Sequence, residues 1–138
     1  MMLMADTLKL EMVTPYKRVL SEEVDEIIAP GVAGELGFLP NHTPLLTTLK
    51  VGELTYRKGG STFHVALNWG YVEIEEDKVI ILAETAEPAD EIDLARAKAA
   101  LGRAEDALKK LDAEDKEFRI MEAALERAII RIQVAGRK

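Results

Sequence analysis

The sequence predicts an α+β protein whose two kinds of structure are segregated: an N-terminal antiparallel β-sandwich followed by a C-terminal antiparallel helical hairpin. Three observations carry this prediction. Short runs of apolar and polar alternation fill the first part of the chain, the mark of half-buried strands. Two longer runs with apolar residues three and four apart fill the last part, the mark of amphipathic helices. Composition also changes between them. All 5 prolines, every glycine but Gly102 and Gly136, and every aromatic residue but Phe118 precede residue 90. The change falls near Pro88 and divides the chain into 1–88 and 89–138.

In chain order, Thr7 to Val13 alternates with period 2. Further strand-like runs cover Val24 to Ala29, Pro44 to Leu49, Glu53 to Arg57, Thr62 to Leu67, Tyr71 to Glu75 and Val79 to Ala83. Turn residues separate them at Thr14-Pro15, Pro30-Gly31, Lys58-Gly59-Gly60 and Glu76-Asp77-Lys78. Many short strands with no helical pattern between them suggest a sandwich or barrel.

The first helical seam is Leu94, Ala97, Leu101, Ala104, Leu108 and Leu111; the second is Phe118, Met121, Leu125, Ala128 and Ile132. Asp90 is read as the N-cap, with Glu91 and Asp93 suited to the positive end of the helix dipole. Asp112-Ala113-Glu114-Asp115 makes a short turn, and a short connection makes the helices antiparallel neighbours. The seam is poor in area. Alanine buries little surface at about 25 cal/mol per Å², and Gly102 inside the first helix costs about 1 kcal/mol against alanine. A permanently docked pair and a pair that opens are both open readings of this pattern.

The net charge of −7 argues against general nucleic-acid binding. It is unevenly placed: residues 1–89 hold 7 basic and 14 acidic groups, whereas residues 90–138 hold 11 of each. With 0 cysteines there is no disulfide, no cysteine nucleophile and no cysteine zinc site. His42 and His64 match no metal-ligand spacing. The stretch Met1 to Asp6 lacks the basic flank and apolar length of a signal peptide, and no run is long enough for a membrane span, so a soluble chain is expected. No phosphate-binding glycine loop is present, and neither Ser21 nor Ser61 sits in a nucleophile elbow, so a non-catalytic protein is expected. Glu22-Glu23 and Glu75-Glu76 read as solvated turns and strand ends, His64 as structural, and Trp69 as core or interface.

Three features stand above this background. Gly34-Glu35-Leu36-Gly37-Phe38-Leu39-Pro40-Asn41-His42-Thr43-Pro44-Leu45-Leu46 is a stiff loop with outward apolar residues. It reads either as a cap on the sandwich or as a preformed protein-binding surface. Arg96 and Arg103 share a face of the first helix, and Arg127 and Arg131 share a face of the second. With the turn near residue 113, position 96 falls opposite about 130 and 103 opposite about 123. The guanidinium groups then approach one region, suited either to phosphate recognition or to ordinary surface pairing. Finally, no acid follows Glu126, while Arg127, Arg131, Arg137 and Lys138 do. A basic helix end suits the dipole, or an acidic partner.

These residues resemble a known family. Gly34-Glu35-Leu36-Gly37, Leu39-Pro40, His42 and Pro44-Leu45-Leu46, followed by Gly52, are similar to the hallmark of the epsilon subunit of bacterial F-type ATP synthases. Gly70-Tyr71-Val72-Glu73-Ile74 resembles that family's late-strand motif. Ala83 to Glu87, leading to Ile92-Asp93-Leu94-Ala95-Arg96-Ala97, resembles its junction into the hairpin. The resemblance covers essentially the whole chain. It implies a central-stalk subunit at the cytoplasmic face of the bacterial inner membrane, whose sandwich binds the gamma subunit and the c-ring. It implies a hairpin that permits turnover when docked. Extended along gamma, the hairpin enters the catalytic alpha/beta head and blocks ATP hydrolysis.

Rotor contacts are implied at Glu35, Leu39, Pro40, His42 and Pro44. No cofactor is implied as required, but some members bind ATP on the folded hairpin. The matching positions here are Glu87, Ile92, Asp93, Arg96, Ala97, Arg103, Arg127 and Arg131. Asn68-Trp69-Gly70 departs from the small residues usual before this motif, and accommodation of the bulky Trp69 at an interface, without loss of fold, is expected. The alternative, from the residues alone, is a free-standing ATP-sensing module with no motor partner.

Overall fold

The computed structural model describes residues 6–137. Most of the N-terminal stretch read for a leader, Met1 to Ala5, and Lys138 of the basic end lie outside them. Eight strands come first: β1 Leu8–Val13, β2 Arg18–Val24, β3 Glu26–Gly31, β4 Gly34–Phe38, β5 Leu45–Leu49, β6 Gly52–Lys58, β7 Ser61–Glu75 and β8 Lys78–Pro88. A 3-10 turn, Ala89–Glu91, leads into helices α1 Leu94–Lys110 and α2 Lys116–Ala135.

Strand alternation places the core as expected: Leu8, Leu10 and Met12 of β1 are all fully buried, and so are Val72, Ile74, Val79 and Ile81 of β7 and β8. The strands form one hydrogen-bonded network in the order β2-β1-β8-β7-β5-β3-β4, with β6 bridging β3 and β7, and fold over a shared apolar interior. Every pairing is antiparallel except one. β1 lies parallel to β8, from Lys9 opposite Lys78 to Val13 opposite Leu82. The expectation of a wholly antiparallel sandwich is corrected there. A parallel neighbour needs a long connection, and nearly the whole sandwich lies between these two strands.

The sequence pattern missed β2 and β4, the two ends of the sheet order. Edge strands carry charged and exposed residues and lose the alternation that marks inner strands. β4 is the first part of the segment read as a loop, and only Leu39 to Pro44 connects it to β5. Pro30-Gly31, read as a turn, belongs to β3; the chain reverses at Val32 and Ala33. A side chain on Gly31 would lie 2.6 Å from the Gly34 carbonyl oxygen, which explains glycine there without a turn.

The runs Thr62 to Leu67 and Tyr71 to Glu75 are one strand, β7. Its first half pairs with β6 and its second half with β5. The exchange of partners occurs at Asn68-Trp69-Gly70, where Trp69 has φ 50°. Gly70 is needed because a Cβ there would lie 2.0 Å from the Leu82 carbonyl oxygen of β8.

The N-cap of α1 is Asp93, not Asp90. Its side chain accepts from the Arg96 backbone N–H at 3.1 Å, while Asp90 belongs to the 3-10 turn. The helices are antiparallel neighbours, and their seam is thin: Ala97, Ala104 and Ala128 are buried, whereas Leu94 is exposed. Helix α2 rests its C-terminal end on the sandwich through a small cluster of Ala66, Ala89, Ile92, Val134 and Ala135, with Ile130 at its edge.

Candidate functional site

Between the sandwich and the hairpin runs a groove of about 830 Å³. Its sandwich wall is Asn68, Glu84, Thr85 and Glu87, from β7 and β8. Its hairpin wall carries Arg96 and Arg103 of α1 and Arg127 and Arg131 of α2, over a floor of alanines. The four guanidinium groups inferred from helical spacing therefore share one site, and with Glu84 and Glu87 the lining has a net charge of +2. In a chain of net charge −7, this is a local field for an anion.

Only one of these arginines is committed. Arg131 donates through Nε to Glu87 Oε1 at 2.6 Å and through Nη2 to Glu87 Oε2 at 3.1 Å, a two-bond, part-buried pair across the groove. Among the described residues, no carboxylate pairs with the side chains of Arg96, Arg103 or Arg127. The remaining residues of the family-matched nucleotide set lie elsewhere. Asp93 caps α1, Ile92 is buried against α2 and the sandwich, and Ala97 is fully buried in the helix seam.

Sequence reasoning named Asn68 only within the Asn68-Trp69-Gly70 departure and gave it no role of its own. It is only 6% exposed, and its Oδ1 has no hydrogen-bond partner. Such a group is uncommon in a folded interior. The signal in the sequence was the polar residue after Val65-Ala66-Leu67, beside the Trp69 departure.

A second carboxylate ties the far end of α2 to β6. Arg137 donates to both oxygens of Glu53, and Gln133 Nε2 donates to Glu53 Oε1 at 3.2 Å. His64 Nδ1 lies 3.3 Å from Glu53 Oε2, outside hydrogen-bond geometry but near enough for charge attraction. Burial pushes the Glu53 carboxyl up, but the hydrogen bonds from Arg137 and Gln133 and the nearby positive charge outweigh it, leaving it below its ordinary value.

The Glu35 to Pro44 segment forms a rim at the end of the sandwich. Glu35 is exposed on edge strand β4, Leu39 is 55% exposed, Pro40 is half-buried and Pro44 is exposed. His42 packs edge-on against Phe38 with ring centroids 5.4 Å apart, and its Nδ1 contacts the Thr43 carbonyl oxygen at 2.6 Å. The Asn41 backbone N–H donates to Asp77, which ties the loop to the β7–β8 turn. A separate apolar hollow of about 760 Å³ opens on the sheet, lined by Val13, Pro15, Val32, Trp69, Tyr71 and Leu82 among others. Trp69, Tyr71 and Leu82 are about half exposed. The sequence flagged Trp69 for an interface; Tyr71 and Leu82 were hidden among residues read simply as strand.

Among the described residues, no group of His, Cys, Asp and Glu is arranged to hold a metal ion. No described helix is long and apolar enough to cross a membrane. The fold and its groove define a class: a β-sandwich bearing an ion-paired helical hairpin, with an arginine-lined groove between them.

Comparison with known proteins finds the same two parts, sandwich and helices, in one family. Residues 7–89 match the ATP synthase delta/epsilon chain β-sandwich domain, and residues 90–136 match the long α-helix domain of the same chains. The chain is 69% identical to the ATP synthase epsilon chain of Geobacter sulfurreducens over 97% of both chains. It is 71% identical to that of Geotalea uraniireducens, again over 97% of both. It also resembles a chain in the cryo-EM structure of Euglena gracilis mitochondrial ATP synthase, OSCP/F1/c-ring, with TM-score 0.80 and 25% identity, covering 96% of this chain and 82% of that one. The chain belongs to the ATP synthase delta/epsilon chain family and, within it, to the epsilon chains of F-type ATP synthases. The alternative of a free-standing nucleotide module has no support in these matches.

Proposed function

We propose that the chain is a non-catalytic rotor subunit that also regulates the motor. The sandwich docks on the gamma subunit and on the c-ring, at the cytoplasmic face of the bacterial inner membrane, so membrane contact runs through the c-ring. The stiff rim at Glu35, Leu39, Pro40, His42 and Pro44 and the apolar hollow around Trp69 and Tyr71 are the surfaces offered for this. Apolar hollows of this size on a small sandwich fit protein partners better than solvent.

The hairpin is the regulator. Docked, it permits turnover; released along gamma, it enters the alpha/beta head and blocks ATP hydrolysis. The observation that carries this reading is how little holds it down: an alanine-rich apolar cluster and the carboxylate ties at Glu53 and Glu87. A regulator must have a small gap between its two states, since a ligand shifts a population only by its differential affinity. ATP is the regulatory ligand proposed for the groove. Arg96, Arg103 and Arg127 are uncommitted and take its phosphates, while Arg131 and Glu87 close the groove. Deletion of residues 90–138 tests the regulatory reading. The sandwich is expected to remain folded, to co-purify with gamma and to raise the ATPase activity of the assembled complex. Loss of gamma binding sinks the rotor reading, and unchanged activity sinks the inhibitory one.

A further inference from the structure

The rim at the end of the sandwich is shaped by a residue outside it. The connection from β4 to β5, Leu39 to Pro44, is stiffened at Pro40 and Pro44. Between them the chain passes through Asn41, whose φ is 68°. Asparagine is one of the few residues that tolerate this left-handed conformation. His42 anchors the loop by packing edge-on against Phe38, which is itself only 1% exposed. The Asn41 backbone N–H donates to Oδ1 of Asp77, 36 residues further on in the β7–β8 turn. That turn is held in an unfavourable form. Its central residues, Glu76 and Asp77, have φ 49° and 59° between the paired Glu75 and Lys78. Two-residue turns with positive φ at both centres favour Asn-Gly, Asp-Gly or Gly-Gly. Glycine at position 77 would ease the backbone. Aspartate supplies what glycine lacks, a carboxylate acceptor for the rim. The Asp77 carbonyl oxygen also accepts from the Lys9 N–H of β1 at 2.9 Å. Asp77 thus joins a turn pinned to β1 with the loop between β4 and β5.

We propose that Asp77 is the positioning residue of the rotor rim, its carboxylate holding Asn41, and with it Leu39, Pro40 and His42, in the shape that docks. This rests on the rotor reading of the rim given above and adds a residue that the rim itself does not contain. A loop already ordered in its bound shape loses less freedom on docking, so the tie raises affinity and needs no contact of its own with the partner. Asp77 is partly exposed, so the tie is modest, and its loss loosens the loop without unfolding the sandwich.

The test uses the full chain and a gamma–c-ring assembly in detergent. Titration reads affinity, and NMR reads amide exchange relative to the intrinsic rate at each site. In the parent, the Asn41 amide is expected to exchange about tenfold or more below its intrinsic rate. An unprotected Asn41 amide overturns the inference without any variant, which covers a variant that fails to fold. Asp77→Gly suits the turn and removes the acceptor. It is expected to raise Asn41 exchange by about tenfold and weaken docking by about fivefold, with the Lys9 amide still protected. Asp77→Asn keeps an acceptor oxygen and is expected to dock within about twofold of the parent. A role in the turn alone predicts that glycine docks as well as the parent does. Docking of Asp77→Gly within about twofold of the parent therefore overturns the inference, as does equal weakening by the glycine and asparagine variants. Loss of Lys9 protection together with docking in Asp77→Gly also overturns it, since the turn itself has then failed. Leu39→Asp, expected to weaken docking by about tenfold or more, tests the rim reading. Weakening by Leu39→Asp alone removes Asp77 and leaves the rim in place. Full affinity in Leu39→Asp sinks the rim reading and this inference together.

Discussion

Arg137 and Glu53, 84 residues apart in the chain, meet through two hydrogen bonds: Nε to Oε2 at 3.1 Å and Nη2 to Oε1 at 3.2 Å. This pair closes the last turn of the hairpin onto strand β6, with Gln133 and His64 on the same carboxylate. It lies at the opposite edge of the docked helix from the Arg131–Glu87 pair, on a different strand. Each tie is partly exposed, so each stabilises modestly, and the docked state depends on both together with the small alanine cluster.

The Glu53 tie makes docking sensitive to acid. Its carboxyl is held below the ordinary value in the docked state. A group with a depressed folded-state pKa contributes fully above its free pKa, about 4.3 for glutamate, and loses that contribution as pH falls through the lower docked value. The opening of the C-terminal turn of α2, read as amide exchange relative to the intrinsic rate at each pH, is therefore expected to be flat across neutral pH and to rise in acid. Glu53→Gln should raise exchange at neutral pH by about three- to tenfold and flatten the acid rise. An acid rise equal in both proteins would assign it to other carboxylates.

Gly70→Ala should be among the most damaging single changes in the sandwich. The added methyl would lie 2.0 Å from a backbone oxygen of β8, which has no flexible side chain to yield. A loss of about 3 kcal/mol or more in urea unfolding is expected. Full stability in the variant would show that the β7–β8 register shifts to make room.

Arg103→Ala should weaken ATP binding by about tenfold with helical content unchanged. Its side chain faces the groove and has no carboxylate partner among the described residues, so its loss removes ligand contacts and no internal tie. Calorimetry reads the first quantity and circular dichroism the second. Equal affinity in variant and parent removes Arg103 from the site.

Tyr71→Asp should abolish or reduce by at least tenfold the affinity for the gamma subunit while leaving the fold intact. Tyr71 is 56% exposed at the apolar hollow, whereas its neighbour Val72 is fully buried. Pull-down with gamma checks the affinity and thermal melting checks the fold. Retained binding would move the gamma contact away from this hollow.

The first part of the chain was legible as sandwich because inner strands carry strict alternation. Leu8, Leu10 and Met12 follow it, and all three are fully buried. The strands that escaped, β2 and β4, are the ones at the sheet ends, where half the pattern is lost to solvent. The helix start was placed three residues early because Asp90 and Asp93 both have capping chemistry; only the coordinates show which side chain meets an orphan N–H. At the groove, helical spacing brought the arginines together correctly, since residues four and seven apart share a face. It did not show that Ile92 and Ala97 are buried away from it, because burial depends on what packs on top.

The sequence alone determined the periodicities, and through them the order of sandwich and hairpin, the thin alanine seam and the shared face of the arginines. These are local properties, set by neighbours within a few residues. The tertiary structure alone decided the long-range meetings: β1 parallel to β8, Arg131 on Glu87, Arg137 on Glu53, and Asn68 beneath the helices with an unsatisfied oxygen. Each joins residues separated by dozens of positions, and no spacing rule reaches across such a distance. Their geometry follows from how the sandwich closes and where α2 comes to rest on it.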